Sequence, residues 1–168
     1  MLRALELARK GKTSPNPMVG AVVVKNNRII AEGFHSRAGG PHAEVVALRK
    51  AGNKAKGADL YVSLEPCCHV GRTPPCTDAI IKSGISQVFA GMKDPNKLVQ
   101  GKGIRILKAA GIKVSAGMMK NDCEKLNEVF VKVMKTGVPF VTVKTAMSLD
   151  GKIATREGDS QWISGEES

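Results

Sequence analysis

The sequence predicts an α/β protein whose sheet has about five strands of mixed direction, covered by helices on both faces. Two observations lead to this class: a hairpin pattern comes early in the chain, and short strand-like runs then alternate with helical segments. The composition, with 42% hydrophobic residues but only 4% aromatics, requires a core of Val, Ile, Leu, Ala and Met. At 168 residues, the chain can bury one well-formed domain with a small appendage.

The chain opens on a helix followed by a hairpin. Apolar residues at helical spacing before Gly11 indicate the helix. Two apolar runs joined by Asn26-Asn27 indicate the hairpin, with those asparagines as its two-residue turn. The helical stripe is Leu2, Leu5 and Ala8, and the two strands cover residues 19–25 and 28–33.

Helices and strands alternate from Pro41 onward. Proline is favoured in the first turn of a helix, so Pro41 marks the start of a helix that runs through Leu48. Gly84 and Gly111 mark the ends of two later helices. The remaining expected elements are strands at 59–64, 87–91 and 113–116 and helices at 77–83, 102–110 and 122–134.

The last of these helices is amphipathic, and the pattern then breaks at Thr136-Gly137. An apolar run at 139–143 predicts a further strand that the first domain does not need. We therefore expect a domain at 1–136 and the incomplete start of a second domain at 137–168. The side chains expected to face inward from the amphipathic helix are Cys123, Leu126, Phe130 and Val133.

The net charge and the cysteine content limit the binding partners and the cellular compartment expected for this protein. A net charge of +11 suggests an anionic partner, but the basic residues are scattered and few aromatics are present to stack on bases. A phosphorylated small molecule is therefore favoured, and no nucleic-acid partner is expected. Four cysteines without a secretory signal argue against disulfides, and no apolar run could span a bilayer. We expect a soluble cytoplasmic protein without membrane contact.

One pattern carries chemistry: His42-Ala43-Glu44, followed by Pro66-Cys67 and then Cys76. It supplies one imidazole and two thiolates as zinc ligands, which leaves the fourth tetrahedral position open for water, as in catalytic zinc sites. Glu44 is the carboxylate expected to move protons. The pattern is typical of zinc-dependent base deaminases, although these usually have two residues between the cysteines and this chain has eight.

His42 and Glu44 can share one site only if a helix end faces that site, because residues two apart on a helix point in different directions. Pro41 places both in a first helical turn, and Cys76 begins the next predicted helix. Two helix N-termini would then face one metal and favour the thiolate form of the cysteines. The alternative is a structural zinc with a fourth protein ligand, for which His69 and Cys68 are the nearby candidates.

The stretch Gly71-Arg72-Thr73-Pro74-Pro75-Cys76 is far more specific than the zinc pattern. With it, the chain resembles the RibD/RibG family of bifunctional riboflavin-biosynthesis deaminase–reductases. The resemblance implies a three-layer α/β/α cytidine-deaminase-like fold, followed by the start of a dihydrofolate-reductase-like domain. Where Cys68 stands, the family usually has Ser or Asn. The other matching stretches are 13–20, 39–44, 64–67, 94–96, 148–154 and 161–164.

The resemblance also implies a substrate, 2,5-diamino-6-(5-phosphoribosylamino)pyrimidin-4(3H)-one. Amide and imidazole groups suit a pyrimidine edge, and Arg72 is the cation implied for the phosphate. Taken singly, Asn16 between two prolines is also typical of a turn, and the 94–96 stretch of a connecting loop. The residues implied for the substrate pocket are Asn16, His35, Ala43, His69, Asp94 and Asn96.

Residues 137–168 resemble the beginning of the family's NADPH-dependent reductase domain. Ala146 and Trp162 match nicotinamide-cofactor positions there, and Ser160 matches a substrate position. A single strand and loop cannot form a nucleotide pocket, so we expect no reductase activity from these residues alone and interpret the chain as part of a longer protein.

The sequence therefore predicts a zinc hydrolase that deaminates a phosphorylated pyrimidine in riboflavin biosynthesis and that assembles as a homo-oligomer. Two alternatives stay open. One is a tRNA or nucleoside deaminase, which the positive charge favours and the cysteine spacing disfavours. The other is a nucleic-acid-binding module with a structural zinc. The affinity of such a module for RNA would fall as the salt concentration rises.

Overall fold

A computed structural model describes residues 1–71, 73–97, 99–161 and 163. It confirms the predicted α/β class with a mixed five-stranded sheet. The strands are β1 (Gly20–Lys25), β2 (Arg28–Phe34), β3 (Asp59–Leu64), β4 (Gln87–Met92) and β5 (Lys113–Ala116). The helices are α1 (Leu2–Ala8), α2 (Ala43–Ala51), α3 (Cys76–Ser83), α4 (Lys102–Ala109), α5 (Lys120–Leu126) and α6 (Glu128–Thr136), and a short 3-10 helix covers Gly52–Ala55.

The sheet has the order β2-β1-β3-β4-β5. Strand β1 is antiparallel to both of its neighbours, whereas β3, β4 and β5 run parallel. The hairpin turn has positive φ angles of 50° at Asn26 and 58° at Asn27, which asparagine tolerates better than most residues. Because β3 and β4 are parallel, their carboxyl ends meet at one edge of the sheet, where α/β proteins usually bind ligands.

Helices cover both faces of the sheet and make three layers. On one face, Ala4 and Leu7 of α1 pack with Val22 of β1. On the other face, Ala47 of α2 and Ile80 of α3 share a buried cluster with the alternate strand residues. The buried strand members of that cluster are Ala21, Val23, Ala31, Leu60, Val62, Leu64, Val88, Ala90 and Met92.

The predicted start of α2 needs a small correction. The helix begins at Ala43, His42 is its extended N-cap residue with φ −72° and ψ 157°, and Pro41 precedes the cap. The N-cap position still aims the His42 side chain past the end of the helix. His42 and Glu44 can share one site because the end of the helix faces that site.

The predicted helix over 122–134 is two helices, α5 and α6, separated at Asn127. Cys123 is fully buried, and the other three inward-facing residues predicted there are partly buried. The predicted strand at 139–143 is wrong, since that segment pairs with no strand among the described residues. A strand is stable only with neighbours that complete its hydrogen bonds. No helix in the described ranges is long and apolar enough to cross a membrane.

Gly33 lets α2 lie against β2 at backbone contact distance. A Cβ at Gly33 would overlap the carbonyl oxygen of Ala43 and lie 2.6 Å from the Ala47 nitrogen. We expect Gly33→Ala to lower the free energy of unfolding by about 1–3 kcal/mol, because α2 must move to admit the methyl group. Equilibrium urea denaturation measures this change.

The matched control is Gly71→Ala, whose Cβ would meet only the His69 ring, at 3.8 Å. We expect a change within about 0.5 kcal/mol for that variant. An unchanged midpoint for Gly33→Ala would contradict the close packing of α2 on β2.

Candidate active site

Three ligand atoms converge at the N-terminal ends of α2 and α3. His42 is the N-cap of α2, Cys76 is the first residue of α3, and Cys67 follows β3. His42 Nδ1 lies 3.2 Å from Cys76 Sγ and 3.4 Å from Cys67 Sγ. Tetrahedral zinc with ordinary Zn–N and Zn–S bond lengths holds nitrogen and sulfur about 3.5 Å apart. The observed distances fit that ion.

The electrostatics of the group favour a thiolate at Cys67. A hydrogen bond with the Cys76 thiol lowers the pKa of Cys67 to about 4, and the same bond raises the pKa of Cys76. The hydrogen bond to Cys67 raises the pKa of His42. The Cys76 backbone N–H also donates to Cys67 Sγ at 3.4 Å. These donors stabilise a thiolate, which is the form of cysteine that binds zinc.

The fourth corner of the metal group is open. Among the described residues, the cluster of possible ligands there holds His42, Cys67 and Cys76 only, with their ligand atoms within 4.8 Å of one another. Neither His69 nor Cys68 joins that cluster, so the geometry gives no support to a structural zinc completed by either of them. Three protein ligands with an open position are the arrangement of a catalytic zinc.

Thr73 fixes the orientation of the His42 ring, a contact that sequence reasoning missed. Its Oγ1 lies 3.3 Å from His42 Nε2, the ring nitrogen on the side away from the sulfurs. Metal-binding histidines usually have such a partner, which sets the tautomer and aims the other nitrogen at the metal. The only sequence signal was the position of Thr73 within the specific stretch at 71–76.

Glu44 lies beside the metal group without joining it. Its carboxyl is 4% exposed, hydrogen-bonds with the Cys76 thiol, and has a pKa raised to about 7 by burial. The side chain faces a cavity of about 430 Å³ above the edge of the sheet. The other sequence-predicted residues that line this cavity are Asn16, His35, His42, Cys67, His69, Asp94 and Asn96.

His35 and Asn16 form one hydrogen-bonded pair on the cavity wall. His35 Nδ1 lies 3.0 Å from the carbonyl oxygen of Pro41, which can only accept, so Nδ1 carries the proton. His35 Nε2 is then the acceptor for Asn16 Nδ2, at 3.2 Å. Burial lowers the pKa of His35, which keeps the ring neutral in this arrangement. The Asn16 oxygen is thereby left for other donors.

Asp94 and Asn96 follow β4 and form another part of the cavity wall. Asp94 Oδ1 accepts the backbone N–H of Asn96 at 2.8 Å, which closes a tight turn. Burial raises the pKa of Asp94 to about 6.

Glu65 holds this wall in place. The sequence analysis included it in the matching stretch 64–67 but assigned it no role. The side chain is 2% exposed and accepts three backbone N–H groups: Asp94 at 3.2 Å, Gly101 at 2.9 Å and Ile104 at 3.2 Å. One carboxylate therefore joins the ends of β3 and β4 and the N-terminal turn of α4. A negative charge is favoured at a helix N-terminus.

Several predicted residues lie elsewhere. Ala43 is fully buried and does not line the cavity, while Ala146 and Ser160 are exposed on the segment after α6. Arg72 and Trp162 lie outside the described residues. Further cavity-lining residues that sequence reasoning did not assign to a site include Val99 and Phe130.

Comparison with known proteins agrees with the site. The family described as cytidine and deoxycytidylate deaminase zinc-binding region matches residues 1–92, and the RibD C-terminal domain matches residues 139–168. The chain therefore belongs to the zinc-binding cytidine and deoxycytidylate deaminase family. The predicted resemblance to riboflavin-biosynthesis RibD proteins is confirmed. The chain corresponds to their deaminase domain followed by the start of their reductase domain.

The riboflavin biosynthesis protein RibD of Bacillus amyloliquefaciens is 56% identical over 99% of this chain and 45% of the relative. The structure of Acinetobacter baumannii RibD, form 1, has a TM-score of 0.93 at 53% identity, covering 98% of this chain and 47% of that one. A Thermotoga maritima diaminohydroxyphosphoribosylaminopyrimidine deaminase/5-amino-6-(5-phosphoribosylamino)uracil reductase has a TM-score of 0.91 at 51% identity, covering 98% and 48%. The chain spans about half the length of these relatives.

Removing the Glu65 carboxylate should weaken the fold at the cavity edge. Glu65→Ala leaves three buried N–H groups without an acceptor, and hydrogen bonds to a charged group contribute about 1.5–3 kcal/mol each. We expect the free energy of unfolding to fall by about 3 kcal/mol or more, measured by urea denaturation. Glu65→Gln keeps one acceptor oxygen and should lose less.

Glu157→Ala, at an exposed position after α6, is the control, with an expected change within about 0.5 kcal/mol. Equal stability of Glu65→Ala and wild type would show that the three hydrogen bonds do not hold the strand ends and α4 together.

Proposed function

We propose that this chain catalyses the zinc-dependent hydrolytic deamination of 2,5-diamino-6-(5-phosphoribosylamino)pyrimidin-4(3H)-one to 5-amino-6-(5-phosphoribosylamino)uracil, a step of riboflavin biosynthesis. The observation that carries the proposal is the three-ligand group with an open corner, next to a buried carboxylate that is not a ligand. The names of the RibD relatives and of the Thermotoga enzyme support this substrate.

His42, Cys67 and Cys76 would hold the zinc. When bound, the ion would lower the pKa of water from about 15.7 to near 7 and so make hydroxide available at neutral pH. Glu44 takes up one proton of the attacking water at its carboxylate and passes it to a ring nitrogen while the C–O bond forms at the amine-bearing carbon. It then moves the second proton from the new hydroxyl to the amine, so that the C–N bond breaks and ammonia leaves. Burial keeps bulk water from competing for that proton.

The cavity walls suit the proposed substrate. The Asn16 oxygen, His69, Asp94 and Asn96 present hydrogen-bonding groups to a pyrimidine edge that carries amines and a carbonyl. The cavity volume of about 430 Å³ is within the range of small-molecule sites. In this proposal Arg72 binds the phosphate, as its family position implies.

We also propose the domain division at 136/137. Residues 137–168 are then the start of the reductase domain, in which Ala146 and Trp162 contact NADPH and Ser160 contacts the substrate. The reduction itself requires the remainder of that domain. Assembly as a homo-oligomer and a cytoplasmic location stay predictions.

Replacing Glu44 by Gln should separate zinc binding from proton transfer. The amide keeps the size of the side chain but cannot take up a proton, so we expect ammonia release to fall by about 10²–10⁴-fold. Zinc content, measured on the same sample, should remain that of the wild type. Glu157→Gln, at an exposed position after α6, is the control and should keep full activity. Wild-type turnover in Glu44→Gln would disprove the role assigned to Glu44.

Removal of the metal should abolish activity and lower stability together. We expect ammonia release from the diaminopyrimidinone phosphate to stop after chelation and to return when zinc is restored. The melting temperature should fall on chelation, because a ligand that binds only the folded state stabilises it. Turnover that survives in demonstrably metal-free protein would refute the proposal. Preferential turnover of cytidine or tRNA would favour the alternative deaminases.

A further inference from the structure

Asn127, at the junction of α5 and α6, binds both backbone groups of one distant residue. Its Oδ1 accepts the N–H of Met18 at 2.7 Å, and its Nδ2 donates to the carbonyl oxygen of Met18 at 3.0 Å. The side chain is 3% exposed, and the two residues are 109 positions apart in the chain. An amide that pairs with both groups of a peptide fixes position and orientation at once.

This pair of bonds anchors the loop that carries Asn16. The Asn16 N–H donates to the Thr13 carbonyl at 2.7 Å, and Thr13 Oγ1 donates to the Asn16 carbonyl at 2.9 Å. The turn is therefore closed at its base, and Asn127 holds its other end at Met18. Asn16 and its neighbour Pro17 both line the cavity. A shift at Met18 would move these two residues.

The same helix junction also supplies part of the cavity wall directly. Phe130 lies three residues after Asn127, about one helical turn further along α6, and lines the cavity. It is an apolar aromatic group in a cavity whose other named residues are mostly polar. An aromatic side chain at this place suits the face of a planar ring.

Neither residue belongs to the part of the chain that the zinc-deaminase family matches. That match ends at residue 92 and includes the metal ligands, Glu44, Asn16 and His35. We propose that Asn127 is a positioning residue that holds Asn16 against the pyrimidine edge, and that Phe130 is a specificity-determining residue for the ring. This inference rests on the proposed function, because it assigns these residues to the same cavity and substrate class.

The test compares Asn127→Ala with the wild type, both as the zinc-loaded 168-residue chain. Turnover of the diaminopyrimidinone phosphate gives KM and kcat, and amide hydrogen exchange reports on the Met18 N–H. We expect KM to rise about tenfold, from the loss of roughly one positioned hydrogen bond, with kcat and zinc content little changed. Exchange at Met18 should become faster. A variant that is only less stable would lose active protein without a change in KM.

Asn121→Ala is the matched control, since Asn121 is an exposed asparagine on α5. Phe130→Leu and Phe130→Ala form a second pair, with Val129→Ala as control because Val129 is 52% exposed on the same helix. The KM should rise more for Ala than for Leu, and Val129→Ala should match the wild type. This pair tests the role of Phe130 even if Asn127→Ala does not fold.

Two results would overturn the role of Asn127: unchanged exchange at Met18 in Asn127→Ala, or faster exchange with an unchanged KM. An unchanged KM in Phe130→Ala would overturn the role of Phe130. A wild-type chain that releases no ammonia would instead refute the proposed function. In that case the exchange rate at Met18 still decides whether Asn127 holds the loop.

Discussion

The structure depends on one constraint: the N-terminal ends of α2 and α3 must meet closely enough for one imidazole and two sulfurs to share an ion. The sheet meets this constraint through backbone contact, since Gly33 leaves no gap between β2 and the start of α2. On the other side, Cys67 follows β3 directly, and the Thr77 N–H donates to its carbonyl at 3.2 Å. The metal group is thus tied to both helices and to the sheet.

A second set of contacts shapes the cavity around that group, and each is made by a buried polar side chain. Glu65 fixes the wall that carries Asp94, and His35 fixes the orientation of Asn16. Hydrogen bonds in a buried setting are costly to leave unmade, so these side chains define a single arrangement of the wall. In the proposed function, the chemistry of the metal and the recognition of the substrate therefore depend on different residues of one cavity.

Much of this could be predicted from the sequence because the signals are local. Strands β3 and β5 cover the predicted ranges, and the hairpin turn at Asn26-Asn27 follows from residue type. The break at Asn127 could not be predicted, since the apolar spacing continues through it and the hydrogen-bond partner of its side chain, Met18, lies far away in the chain. The contacts of Glu65 and Thr73 are also tertiary, so only the folded chain shows what these side chains bind.

The segment after α6 has a consequence for how the isolated chain behaves in solution. Val138, Val141 and Val143 are 54%, 71% and 77% exposed, and this extended segment has no strand beside it among the described residues. An apolar extended backbone with open hydrogen-bonding groups is a template on which a second chain can add a strand. Concentrated preparations of these 168 residues should therefore tend to aggregate through this valine-rich segment.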